Sequence, residues 1–120
     1  MRQETRRWRA KSREDLKTAE ILIENDRLPE GAFFLQQSIE KALKSVIIEQ
    51  EGDFPRIHDL VALGRRAGIP DDLLETCKQI SPAYTYARYP DVIENSGLGD
   101  KIEGFLKRTK EVLDWAEGIA

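Results

Sequence analysis

The chain has 120 residues, of which 40 % are hydrophobic and 34 % are charged, and its formal net charge is −3. This length suits one domain, no apolar run approaches the roughly 20 residues of a membrane span, and the charged N-terminus argues against a secretory signal peptide. The single cysteine, Cys77, excludes an internal disulfide and fits a reducing cytoplasm, so we expect a cytoplasmic protein in which Cys77 packs in the core.

The N-terminal segment is basic, because residues 1–13 carry six cations against one acid, Glu4. These cations are Arg2, Arg6, Arg7, Arg9, Lys11 and Arg13. Such an arm can contact phosphates, or it can simply form the solvated first turns of a helix. The acidic remainder of the chain argues against a dedicated duplex-DNA binder. The first predicted helix covers residues 5–25, and Trp8, Leu16, Ala19, Leu22 and Ile23 share one face of it.

The central predicted helix covers residues 30–51, which contain no proline and no glycine after Gly31. Its apolar residues fall within an arc of roughly 140°. They are Leu35, Ile39, Ala42, Leu43, Val46 and Ile47, and Gln36 lies in the same arc. The opposite side is mixed, with Gln37, Lys41 and Lys44 beside Phe33 and Ile48, and with Glu40 at the edge. Such a helix suits the middle of a bundle or a dimer interface, and the short connection to the first helix predicts an antiparallel hairpin.

Shorter helices are predicted after the break at residues 52–55. One covers about residues 58–67, and another is capped by Asp71 or Asp72 and ends near Pro82. Helical character resumes at residues 83–86, a loop covers residues 89–99, and a last helix covers residues 99–117. No segment alternates like a strand. We therefore predict an all-α, up-and-down bundle of four to five helices that forms one domain over residues 1–120.

Several kinds of site are excluded by the residue types present. One histidine and one cysteine cannot build the zinc sites that use those ligands. The chain has no glycine-rich phosphate loop, and His58 does not stand three residues after a glutamate, as di-iron bundles require. We therefore expect no metal and no cofactor.

The polar residues that remain fall in three segments that could form one ligand site. The candidate ligand-binding residues are Gln37, Glu40, Lys41, Lys44, Tyr86, Arg88, Tyr89 and Asp91. Tyrosines beside an arginine can stack on a base while the guanidinium holds a phosphate. Alternatively, the tyrosines pack at the end of the bundle and Arg88 pairs with Asp91 or with a carboxylate on a helix. His58 is expected beside the start of its short helix, which Asp59 could cap.

These segments resemble the HEPN domain, a small helical domain of prokaryotic toxin–antitoxin and nucleotidyltransferase-associated proteins. The resemblance rests on residues 34–44 (FLQQSIEKALK), on His58-Asp59-Leu60, on residues 87–91 (ARYPD) and on the closing amphipathic helix. It implies a four- or five-helix bundle that usually forms a homodimer. It also implies a cytoplasmic protein that is often encoded beside a minimal nucleotidyltransferase.

Many members of that family are metal-independent ribonucleases with an arginine, four to six residues and then a histidine. Arg88 matches the arginine, but Ile93, Glu94 and Asn95 occupy the histidine positions, and the only histidine, His58, lies upstream. The resemblance therefore favours a homodimeric nucleotide- or RNA-binding module that is the partner of a nucleotidyltransferase. Because it lacks the complete motif, this module is non-catalytic or catalytically degenerate.

Two alternatives stay open beside this hypothesis. One is a metal-independent ribonuclease toxin in which Arg88 and His58 are the catalytic residues. The other is a purely structural dimerisation or adaptor domain, for which Phe33, Phe34 and Trp115 could supply an exposed apolar patch.

Overall fold

The chain is described by a computed structural model, which covers residues 1–86 and 97–118. In these ranges it forms six helical segments and no strand. The segments are α1 (Gln3–Glu24), α2 (Leu28–Glu51), α3 (Leu60–Ala67), α4 (Asp71–Ile80), α5 (Ala83–Tyr86) and α6 (Leu98–Ala116). The predicted all-α bundle is confirmed.

α1 and α2 form the predicted hairpin, with residues 25–27 between them. Asp26 makes the tight turn in the left-handed region, at φ +59°. α2 begins two residues earlier than predicted because Pro29 lies in its first turn, where the missing N–H would have no partner within the helix. α2 ends at Gly52, whose φ of +83° is the left-handed conformation that glycine adopts easily.

α2 is the centre of the molecule, since it packs against α1, α3, α4, α5 and α6. The predicted apolar face is buried except for Val46, which is partly buried. Ile48 was placed on the opposite, mixed face, yet it is also fully buried, together with Gln36. Neighbouring helices therefore cover more of α2 than its apolar arc indicates, and its second face does not simply face water.

α3 begins at Leu60 because Asp59 caps it. The Asp59 carboxylate accepts hydrogen bonds from the backbone N–H groups of Val61, at 3.0 Å, and Ala62, at 3.2 Å. The predicted aspartate cap of α4 is wrong, because Pro70 occupies the cap position and makes no side-chain cap bond. Both aspartates instead lie in the first turn of α4, where the positive end of the helix dipole favours a carboxylate.

The last helix packs its apolar side onto the core, with Phe105, Val112 and Leu113 buried. The exposed patch of Phe33, Phe34 and Trp115 is not formed, because all three are partly buried. Phe34 and Trp115 pack against the core, and the Phe33 ring contacts that of Phe34 at a centroid distance of 5.6 Å. The large hydrophobic side chains exposed in the described ranges are Met1, Ile21 and Ile57.

Cys77 has the packing role that its spacing predicted. Its side chain is fully buried, and burial raises the pKa of the thiol to about 12. None of the helices in residues 1–86 and 97–118 is long and apolar enough to cross a membrane.

Candidate functional site

A buried ion pair lies at the centre of the polar side of α2. Lys44 Nζ donates to Glu40 Oε2 at 3.0 Å, and each residue is only 4 % exposed. Gln36 Nε2 donates to the other carboxylate oxygen of Glu40 at 3.2 Å. Because i and i+4 lie on one helix face, all three side chains come from consecutive turns of one element. Buried charges need partners of opposite charge, and here Glu40 and Lys44 are each other's partner.

His58 is the third residue whose side chain contacts the carboxylate of Glu40. Its Nδ1 lies 3.1 Å and 3.2 Å from the two oxygens of Glu40, and its side chain is 55 % exposed. In a neutral imidazole that donates to a carboxylate, the proton sits on Nδ1 and the lone pair is on Nε2. Glu40 therefore fixes both the ring orientation and the tautomer, so that Nε2 is the nitrogen available for a ligand.

An aromatic ring holds the other side of the imidazole. Tyr84, on the short helix α5, stacks on His58 with centroids 4.7 Å apart and planes 20° apart. Tyr84 also contacts the Phe33 ring, at 6.0 Å. Ala83 is buried and anchors α5 against the bundle. His58 is thus held by a carboxylate at its edge and a phenol ring on its face, which gives it one defined position.

The predicted residues of α2 belong to one hydrogen-bonded network. Gln37 Nε2 donates to Gln36 Oε1 at 2.7 Å, and Lys41 Nζ donates to Gln37 Oε1 at 3.3 Å. Lys41 also donates to the buried carboxylate of Asp15 on α1. Sequence reasoning missed Gln36, although a glutamine inside an apolar arc was a signal that buried hydrogen-bond partners must exist.

The structure divides the other predicted ligand residues into two groups. Glu40 and Lys44 are buried and bind each other, and the Glu40 carboxylate also contacts His58. The predictions for Arg88, Tyr89 and Asp91, and for the side chain of Tyr86, lie outside the described residues.

A second aromatic contact lies beside Lys44. Trp8 of α1 meets Phe54 edge to face, with centroids 4.7 Å apart. Lys44 Nζ lies 5.8 Å from the Trp8 ring and 5.2 Å from the Phe54 ring, and the Arg56 guanidinium lies 4.3 Å from Phe54. These are cation–π distances, so the rings support the buried ammonium.

Part of the basic N-terminal segment serves packing. Arg13 forms ion pairs with Asp114 of α6, at 2.9 Å, and with Glu117, which caps the C-terminus of α6, at 2.6 Å. The backbone N–H of Arg2 donates to Glu49, which lowers the pKa of that carboxyl. These arginines therefore fasten α1 to its neighbours.

No group of three or more histidine, cysteine, aspartate or glutamate side chains within residues 1–86 and 97–118 could hold a metal ion. The chemistry of the site in this part of the chain is that of an oriented imidazole, aromatic faces and cations.

The described residues form an all-helical bundle around the α1–α2 hairpin, with the imidazole of His58 held against the middle of α2. Residues 5–119 match the family profile of the HEPN domain, and the chain belongs to that family. The fold is similar to that of the crystal structure of ST0689, an archaeal HEPN homologue, with a TM-score of 0.76. That similarity covers 98 % of each chain at 24 % sequence identity. None of the curated proteins compared with this chain is significantly similar to it.

Proposed function

We propose that this HEPN domain is a nucleotide- or RNA-binding module of a toxin–antitoxin-type system, working as a homodimer with a nucleotidyltransferase partner. The observation that supports the binding role best is the imidazole of His58, held by Glu40 and stacked on Tyr84. The rest of the ligand site comes from Arg88, which follows Tyr84 by four residues in the chain.

The residue types of this site suit a phosphorylated ligand. An aromatic face accepts a base, and an arginine holds phosphate oxygens with paired hydrogen bonds. The Nε2 nitrogen of His58 adds a third contact, whose direction is fixed by the bond from Nδ1 to Glu40.

Titration of the purified protein with ATP, other nucleotides and short single-stranded RNA tests the proposal. We expect Arg88→Ala and His58→Ala to weaken binding, and Lys107→Ala, which removes an exposed cation of α6, to leave it unchanged. If Arg88→Ala binds every ligand as the natural protein does, the proposed site is wrong.

The homodimer and the partner need separate experiments. Within the chain α2 is covered by its neighbours, so the dimer proposal rests on the family resemblance and not on a bare face of α2. Sedimentation that shows only monomer at micromolar concentration would contradict the dimer. Co-purification with a nucleotidyltransferase encoded by an adjacent gene would support the partner, and its absence would count against it.

One observation also favours the ribonuclease as a second candidate. A carboxylate that fixes Nδ1 leaves Nε2 as a base, and this arrangement is typical of proton-transfer sites. Nε2 of His58 would accept the proton of the ribose 2′-hydroxyl as it attacks the phosphorus and the P–O5′ bond breaks, leaving a cyclic phosphate. The protonated imidazole would return that proton to the leaving 5′-oxygen, while Arg88 would balance the negative charge on the phosphate. This role requires no metal.

Cleavage of cellular RNA in the presence of a chelator distinguishes the two candidates. The ribonuclease predicts activity that is lost in both His58→Ala and Arg88→Ala and reduced in Glu40→Gln, with far-UV circular dichroism confirming that each variant is folded. Full activity after either alanine substitution would exclude this mechanism, and binding without cleavage would leave the binding module.

A further inference from the structure

A small concave pocket lies on α1 and α2, at the Trp8 side of the buried ion pair. Its volume is about 190 Å³, and it is lined by Arg7, Trp8, Lys11 and Lys41. The surface exposed inside it is almost entirely apolar, as an indole ring and the alkyl stems of long cationic side chains can supply. The charged groups of the three cations contribute little of the surface inside the pocket.

The pocket has more positive than negative charge. Arg7 is exposed and forms no ion pair or hydrogen bond with another residue that the structure describes. Lys41 binds the buried Asp15, and Lys11 lies 3.7 Å from both Asp15 and Glu14. Asp15 is thus shared by two lysines, and the Glu14 side chain is 69 % exposed. An approaching anion therefore meets one unpaired guanidinium and one weakly paired ammonium.

The indole ring is fixed before any ligand arrives. Phe54 packs on Trp8 at 4.7 Å, and Lys44 lies 5.8 Å from the indole. Because these contacts already restrict the Trp8 ring, it loses little conformational entropy when a planar group stacks on its accessible part. Base stacking on aromatic side chains contributes on the order of 1–3 kcal/mol per base.

Residues 54–58 connect this pocket with the His58 site. Phe54 contacts Trp8, the Arg56 guanidinium lies 4.3 Å from the Phe54 ring, and His58 follows two residues later. Phe54, Arg56 and His58 thus bring two aromatic rings and a guanidinium into this segment, and such groups line surfaces that bind single-stranded nucleic acid.

We propose that the Trp8 pocket binds a phosphate-bearing nucleobase ligand, with the base against Trp8 and the phosphate between Arg7, Lys11 and Lys41. This inference rests on the proposed nucleotide- or RNA-binding function and adds a second contact site to it. The same chemistry is offered by a free nucleotide and by one unit of a single-stranded RNA, so the test must separate these sources.

Calorimetric titrations of the full chain provide that test, with three probes: AMP, a short 5′-phosphorylated oligoribonucleotide and inorganic phosphate. The variant is Arg7→Ala/Lys11→Ala, and the control is Arg6→Ala/Lys17→Ala, which removes two exposed cations that do not line the pocket. We expect the pocket variant to raise the Kd for the oligonucleotide about tenfold and to reduce the slope of its salt dependence by about 2, one unit per phosphate contact. The control is expected to change neither.

A spectroscopic measurement keeps the test independent of folding. The indole N–H resonance of Trp8, assigned with Trp8→Phe, should shift when the oligonucleotide is added, whereas that of Trp115 on α6 should not. A shift of Trp115 alone would overturn the proposal.

The outcomes distinguish a failure of the Trp8 pocket from a failure of the proposed binding function. Weakening for the oligonucleotide alone assigns the pocket to RNA, and equal weakening for AMP assigns it to free nucleotides. Inorganic phosphate binding as tightly as AMP would refute the base contact. Binding that depends on Arg88 but is equal in the pocket and control variants would overturn this inference and leave the proposed function, whereas no binding of any probe by the natural protein would overturn both.

Discussion

Lys44→Met should destabilise the protein strongly, because it leaves the buried carboxylate of Glu40 without its cation. The two charged groups are 3.0 Å apart. With an effective dielectric constant of about 20, Coulomb's law gives an attraction of about 5.5 kcal/mol at that distance. Gln36 and His58 remain as partners of the carboxylate after the substitution, and methionine keeps the aliphatic packing. We therefore expect a loss of about 3 kcal/mol in the free energy of unfolding, at the lower end of the range for broken buried pairs.

Urea denaturation followed by circular dichroism measures this loss. An unchanged m-value is required, since it shows that the variant unfolds from an equally compact state. Glu51→Gln is the control, because it removes another α2 carboxylate whose ion pair with Arg66 is solvent-exposed. That change should be far smaller, since exposed pairs stabilise little.

The double variant Glu40→Gln/Lys44→Met measures the interaction energy between Glu40 and Lys44. Because a neutral amide leaves no buried charge, the double variant should be more stable than the sum of the single changes predicts, by about 2 kcal/mol. If Lys44→Met costs no more than Glu51→Gln, or if the two single changes add, Glu40 and Lys44 are not a buried pair and the positioning of His58 by Glu40 loses its support.

Three further predictions follow from local geometry. Cys77, with its raised pKa of about 12, should resist thiol reagents in the native protein and react after unfolding in urea. Gly64→Ala should destabilise the protein by about 1 kcal/mol in thermal unfolding, because an added Cβ would lie 3.1 Å and 3.2 Å from two side chains. At Gly104 an added Cβ would meet open space, so Gly104→Ala should stabilise the protein by about 0.5–1 kcal/mol. The hydrogen bond from the Arg2 N–H lowers the pKa of the Glu49 carboxyl below 4.5. The stabilisation that this hydrogen bond gives is therefore present above pH 4.5 and is lost as the pH falls through the lowered pKa. Glu49→Gln should flatten the acid side of the curve of stability against pH, and an unchanged curve would contradict this.

The helices could be predicted from sequence because their signals are local. Periodic apolar residues, Pro29 and Gly52 act within one or two turns, so the order and approximate bounds of α1, α2 and α6 follow from short windows. The wrong prediction of an aspartate cap for α4 also concerns a single helix turn. Proline and aspartate are both favourable near a helix start, and only the backbone geometry decides which residue is the cap.

The arrangement around Glu40 could not be predicted in the same way. A helical projection shows which residues share a face, but not which faces the other helices cover. Glu40 and Lys44 lie on the mixed side of α2 and would face water in an isolated helix. Residues 52–59 and Trp8 cover them, and His58 reaches Glu40 across 18 residues of sequence. Contacts at that separation depend on how the chain turns, for which the spacing of residue types gives no rule.

The buried pair also explains how a carboxylate could lie beside the proposed binding site for a phosphorylated ligand. Glu40 alone would repel an anionic ligand at His58, and burial would strengthen that repulsion. Lys44 lies 3.0 Å from it and neutralises its charge, so Glu40 orients the imidazole without adding net negative charge. The charge that a phosphate meets is then set by the exposed groups, Arg56, Arg7 and Lys11 among them. The ion pair as a whole adds little to stability over a well-packed apolar pair, so a lysine kept 4 % exposed beside two aromatic rings has a physical reason in this arrangement.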